Sequence, residues 1–557
     1  MNMSSKHIVM LSFIISIVLA TLSLISLYRQ EVTFKEMGLL PTLLETGAGI
    51  VYLLSLLIFT INIILNILLI QSKFIFLVQM FYTAFLLFSL PVYIEPLPRF
   101  RYTYFAYSFS DFILKTGTID SNRIFYHNWP SFSILGAYLY LIGLPTKSDQ
   151  FNFLRIYPLI ITLIYMGFVY LIFLKIEGKG YKKYIAVLLF PMLNWINQSY
   201  FSPQSLGFLL WLLMYYLLLA NINSPKEIYF ALMLVLIGLI TTHFLSSLVA
   251  GGFLLLLFIM MNTRRIPRII NIKHRTFIIF VLLFVSWSIY FSYDYLRENI
   301  HKIVDNFQVF LKLGLSSYFY FFHGTLARAQ GDYSHVLVAK AMIIFAILSV
   351  ILAIFGFIQR IRYNKKLETT DILFTLAEIS ILTSVIVVGS YGNELLIRVF
   401  LFSIPAFVYY ISELSASHLK VLLIIFLLIS PFLHIFVHYG NERYDHVTLS
   451  EIQGIFFIEN KFSNSNDSIV IKKGSPIVRM LYILKNYKPS AATTALLIFD
   501  KGFYELAKMY GEEEQYYNER KKCMILGKII YASRDFLLCI DKTKGVIKYE
   551  ESISDRI

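Results

Sequence analysis

The sequence predicts an α-helical polytopic membrane protein of about thirteen transmembrane helices, with a small extracytoplasmic α/β C-terminal domain. Three observations predict it. The 557 residues are 57% hydrophobic and 15% charged, whereas soluble domains run near about 45–50% apolar and roughly 25% charged. Apolar windows long enough to cross a bilayer recur from residue 7 to residue 438. Beyond residue 440 the pattern changes to short β-like runs between charge-rich stretches. Lipid is the solvent such a composition requires, which excludes a cytosolic enzyme, a disulfide-stapled secreted module and a disordered chain.

The candidate spans are residues 7–28, 46–70, 73–94, 152–175, 182–196, 203–220, 227–241, 243–261, 276–293, 336–358, 371–390, 394–412 and 418–438. The first follows Lys6 but exceeds the apolar run of a signal peptide and lacks a small-residue cleavage site, so it reads as a retained anchor. Lys175, Lys179, Lys182 and Lys183, then Arg264, Arg265, Arg268, Lys273 and Arg275, then Arg360, Arg362, Lys365 and Lys366 mark three loops on one side. By the positive-inside rule that side is cytoplasmic. The N-terminus is then cytoplasmic, and the loops 95–151 and 294–335 and the tail lie outside a plasma membrane. Residues 131–144 are apolar but too short to span comfortably. An interfacial or re-entrant helix there keeps every basic cluster inside. This organisation divides the chain into N-terminal helices (1–72), a transmembrane unit with long outer loops (73–440) and an outer α/β domain (441–557).

The tail has β-like runs at 468–471, 495–499, 524–531 and 536–540, and a charged run at 511–522. It carries 18 basic and 16 acidic residues, so nearly all of the net charge of +15 belongs to the membrane part. The excess is topological and does not indicate a nucleic-acid partner. A hairpin through Ala532–Asp535 puts Cys539 opposite Lys528 and leaves Cys523 about 17 Å away, at about 3.4 Å per residue. Two free thiols are expected.

Ionisable groups near lipid are costly without a partner or a task, and here they gather on the outer side. The first outer loop holds Glu95, Arg99, Arg101, Asp111, Asp120, Arg123 and His127, with Arg155 at the next helix entrance. His243, Asp332, His335, Glu394 and Arg398 form a second set. Each also fits a structural role: Glu394 and Arg398, four apart, suit a helix-stapling ion pair, and Arg155 suits an interfacial anchor. No phosphate-binding glycine loop, zinc-type cysteine pair or internal repeat is present.

The order of a spanning helix, an acid-bearing outer loop, Gly117-Thr118-Ile119-Asp120, Tyr126-His127-Asn128-Trp129-Pro130-Ser131, a helix ending near Gly143 and Arg155-Ile156-Tyr157-Pro158 resembles the GT-C class of integral membrane glycosyltransferases. Phe201–Leu206, Thr242–Ser246 and Glu394–Pro405 look similar to segments of its members related to the protein mannosyltransferases and the aminoarabinose transferase, especially archaeal-type relatives. The likeness covers roughly residues 73–440 in arrangement.

The resemblance implies a polyprenyl- or dolichyl-phosphate-linked sugar donor, and a protein, glycan or lipid acceptor. In that reading a carboxylate of the first outer loop acts as general base, with the lipid phosphate as leaving group. The family's acidic pair falls near Tyr102 and Thr103, where no acid stands. Glu95 is therefore the first candidate for the base and Asp111 the second. Arg155, His243 and Arg398 are candidates for the donor phosphate; His127 and Glu394 are candidates for positioning substrate. No metal ligands are assigned, and a divalent cation is left open because relatives differ in using one. The alternatives are a polysaccharide polymerase or ligase, a lipid-linked sugar transporter or flippase, and a receptor whose tail does the work.

Overall fold

A computed structural model describes residues 3–29, 38–120, 125–143, 150–177, 180–196, 199–220, 226–262, 274–314, 333–364, 368–388, 395–416, 419–440, 445–462, 469–471, 494–509, 513–526, 528–533 and 536–541. Its helices are α1 (Met3–Arg29), α2 (Leu39–Leu44), α3 (Gly47–Leu65), α4 (Lys73–Phe88), α5 (Leu90–Ile94), α6 (Arg101–Thr116), α7 (Ser131–Leu141), α8 (Gln150–Glu177), α9 (Lys182–Leu193), α10 (Pro203–Ala220) and α11 (Lys226–Thr242). They continue with α12 (Phe244–Asn262), α13 (His274–Tyr290), α14 (Tyr293–Leu313), α15 (Tyr333–Asn364), α16 (Thr369–Val388), α17 (Leu395–Glu413), α18 (Lys420–His438), α19 (Leu449–Phe462), α20 (Lys501–Met509) and α21 (Glu513–Leu526).

Each predicted span falls largely on helix, 73–94 on both α4 and α5, and among the described residues six helices are long and apolar enough to cross a membrane. The protein is thus a helical membrane protein in character. The 131–144 stretch forms the 11-residue α7, about 16 Å long at about 1.5 Å per residue and too short for a bilayer core of roughly 30 Å. Polar side chains at the α1–α3–α4 contact pair with one another and with backbone, as lipid favours. Asn62 donates to the Val9 carbonyl at 2.5 Å, Gln79 to Asn62 at 2.7 Å, and Asn66 to Gln79 at 3.0 Å, tying α1, α3 and α4.

Two ends of the bundle are chemically distinct. At one, Arg360 of α15 bonds Asp371 at 2.9 Å, Glu413 at 2.7 Å and Glu368 at 2.6 Å, and Lys182 of α9 also reaches Glu413. The basic clusters around residues 182 and 360 therefore meet at one end. From there α9 runs about 18 Å to the other end, where His438 donates through Nδ1 to the Trp195 carbonyl at 2.9 Å.

The tail folds as a four-stranded sheet of β1 (Ile469–Ile471), β2 (Thr494–Asp500), β3 (Lys528–Ser533) and β4 (Phe536–Asp541), in the order β1-β2-β4-β3. β1 is parallel to β2; the other pairings are antiparallel. Its core is not its own. Ile498 and Leu538 of the sheet share one apolar cluster with Val447, Ile452 and Ile455 and with Leu97, Tyr104 and Phe109 at and before α6.

One expectation is corrected here: Cys523 is disulfide-bonded, and Cys539 is the other cysteine in the sequence. Residues 524–526 were expected in a strand but belong to α21, which packs across β4. A helix folded over the sheet brings Cys523 back, where an extended strand would carry it away.

Candidate functional site

Phe100 is the pivot of the site. It precedes α6 with φ 69° and ψ 108°, a backbone state unfavourable for a bulky L-residue. Its N–H donates to the Asp445 carbonyl at 3.2 Å, and its ring packs 5.7 Å from His438. The arginines on either side of Phe100 serve different partners. Arg99 bonds Glu95 Oε1 at 2.5 Å and the Tyr439 carbonyl at 3.4 Å, and its guanidinium lies 4.8 Å over the Tyr439 ring. Arg101 bonds Glu451 through both its Nη atoms and lies 3.9 Å from Asp500.

Glu95 closes the arrangement. Its Oε2 accepts from His446 Nδ1 at 3.2 Å, and its side chain is 2% exposed. Burial by itself raises a carboxyl's pKa, but the Arg99 guanidinium and His446 outweigh that and hold Glu95 below its ordinary value. A narrow cavity abuts this group, with room for about one water. Arg99, Arg155, His438, Tyr439, Phe100 and Leu154 line it. Arg155 donates to the Val92 carbonyl and bonds Asn152 at 3.1 Å.

The other candidates fall elsewhere. Asp111 is buried on α6 and pairs with Lys115 one turn on, at 2.7 Å. His127 accepts from the Asp120 N–H through Nδ1 at 3.0 Å and donates to the Phe109 carbonyl at 3.4 Å. Both ring nitrogens stitch the loop onto α6, and burial depresses the imidazole's pKa. His243 sits at the α11–α12 junction with Nδ1 3.1 Å from Ser246 Oγ, and Arg398 acts on it electrostatically. His243 and Arg398 are thus neighbours, while Arg155 joins Arg99 at the cavity. Glu394 and Asp332 lie outside the described residues. Among the described residues no group of His, Cys, Asp or Glu side chains is arranged to hold a metal ion.

Sequence reasoning did not assign His438, Tyr439, His446 or Glu451 to the site. Nothing local announces that His446 and Glu451 return to Glu95 and Arg101. No protein-family model matches the sequence, and no curated protein matches it either.

Proposed function

We propose that the chain is a membrane glycosyltransferase that moves a sugar from a polyprenyl-phosphate-linked donor to an acceptor at the outer face. The observation that carries this reading is the cavity at one end of the bundle, which Arg99 and Arg155 line and behind which Arg99 pairs with Glu95. Two guanidiniums at a cavity suit a phosphate whose lipid tail remains in the bilayer. The cavity holds about one water, so a phosphate entering there has to open it, exchanging the Arg155–Val92 bond for charge-assisted bonds of its own. About thirteen apolar windows cross the membrane in this reading, the shorter helices with help from the residues that flank them. The Arg360 end is cytoplasmic and the Glu95 end faces out. The Cys523 disulfide supports an extracytoplasmic tail, since disulfides persist in oxidising compartments. Residues 441–557 then form the outer domain.

The test is release of polyprenyl phosphate from a panel of polyprenyl-phosphate sugars by purified protein in lipid nanodiscs, without nucleotide. Release that Glu95→Gln abolishes and Asp111→Asn spares supports the reading and centres it on this cavity. No release from any donor by the wild-type protein removes it.

A further inference from the structure

α14 takes no part in the cavity described above, and its surface suits neither water nor the inside of a bundle. Ile300 and Val304 are each 46% exposed and Leu311 is 66% exposed. With the exposed Tyr293 they stand at i, i+7, i+11 and i+18, a single apolar line along the helix. His301, Asp305, Gln308 and Lys312 form a second exposed line beside it. A contiguous apolar line of this kind marks a surface that meets something other than water.

Position in the chain identifies what covers it. Only Phe291 and Ser292 separate α14 from the apolar helix α13. Ile289, Tyr290 and Phe291 are exposed, so the apolar surface of α13 continues to its last turn and is taken up by Tyr293 at the start of α14. Exposed tyrosines at the end of an apolar helix stand where such residues gather at the boundary of a bilayer. Trp287 donates to the Asn128 carbonyl at 2.9 Å, which ties this end of α13 to the segment between α6 and α7. α14 therefore starts at the Glu95 end of the bundle, and its packing against α16 holds it there. Its sequence carries three basic and three acidic residues, so its formal charge is zero with His301 counted neutral. Apolar burial is then the attraction, and neither an acidic nor a basic partner is selected. We propose that α14 lies in the membrane surface at the Glu95 end and that its partner is lipid. Ile300, Val304 and Leu311 enter the acyl-chain boundary, while the line from His301 to Lys312 faces headgroups and water. The second outer loop thus begins in the bilayer surface, held by a helix that does not span it.

The experiment places a nitroxide on Val304→Cys, Leu311→Cys, His301→Cys or Asp305→Cys, one at a time, in the full-length protein in nanodiscs. All four side chains are exposed, so the substitutions leave the packing of the bundle alone. Power saturation then measures collision of each label with oxygen, which concentrates in lipid, and with a water-soluble nickel chelate. The ratio of oxygen to nickel collision should be severalfold higher for Val304→Cys and Leu311→Cys than for His301→Cys and Asp305→Cys. It should be the same in nanodiscs of phosphatidylcholine alone and of phosphatidylcholine with phosphatidylglycerol, because the helix has no net charge to select anionic lipid. Strong nickel collision at all four positions puts α14 in water and overturns the proposal. Weak collision with both reagents at Val304→Cys and Leu311→Cys puts protein over the apolar line and overturns it as well. A lipid-facing ratio that arises only with phosphatidylglycerol overturns apolar burial as the attraction.

Discussion

Arg101 and Glu451, 350 positions apart in the chain, form a two-pronged ion pair at 2.7 and 3.3 Å with both side chains fully buried. This pair joins the start of α6 to the segment that follows the last apolar helix. Asp500, at the end of β2, lies 3.9 Å from the same guanidinium. The sheet is therefore anchored to α6 by charge as well as by the shared apolar cluster. A buried charge that loses its partner is expensive, which makes this contact a strong test of the architecture.

Arg101→Ala should destabilise the protein by about 3–5 kcal/mol, because it leaves Glu451 buried without its partner. The double variant Arg101→Met/Glu451→Leu should recover much of that loss. Thermal unfolding in detergent, followed for both proteins, measures the difference.

Arg155→Ala should weaken binding of a polyprenyl-phosphate donor by about ten- to a hundredfold, as expected for loss of about 1.5–3 kcal/mol from a hydrogen bond to a charged group. Its stability should change little, since the side chain is only partly buried. Binding of a fluorescent polyprenyl phosphate to nanodisc-embedded protein reads the effect. Unchanged affinity returns Arg155 to the role of an interfacial anchor.

The pH dependence of the 120–128 region follows from His127. Burial favours the neutral ring, so its folded pKa lies below the ordinary 6.5 while the unfolded chain retains that value. Between the two, the unfolded state binds more protons, and stability falls as pH drops below about 6.5. Hydrogen exchange at the Asp120 amide, which donates to His127, should accelerate from pH 7 to pH 5 after correction for intrinsic rates. His127→Gln should flatten that dependence.

Gly356→Ala should destabilise by about 1–3 kcal/mol through overpacking. A Cβ at this position meets the Tyr410 backbone carbonyl, where α15 and α17 touch. Backbone cannot swing aside as a side chain can, so the two helices must separate. Unfolding midpoints of Gly356→Ala and of a control substitution at the open Gly167 distinguish this contact from a general loss of flexibility.

The proposed orientation makes a separate prediction. A cysteine at the exposed Thr118 should react with a membrane-impermeant maleimide in intact cells, and one at Asn262 should react only after permeabilisation. The reverse pattern inverts the orientation.

The sequence by itself determined the solvent of the protein and the approximate extent of its long apolar helices, because hydropathy over some twenty residues is a local property. The short α7 and most of the sheet were legible from equally local patterns. Only the tertiary structure decided what lies far apart in sequence. Asp111 has its helical position in the sequence, but its burial depends on what packs over α6. His446 and Glu451 reach Glu95 and Arg101 because residues after α18 share a core with α6. Cys523 is disulfide-bonded because α21 folds back across the sheet. Contacts between distant segments are fixed by which apolar surfaces find one another in three dimensions, and no spacing within one segment carries that information.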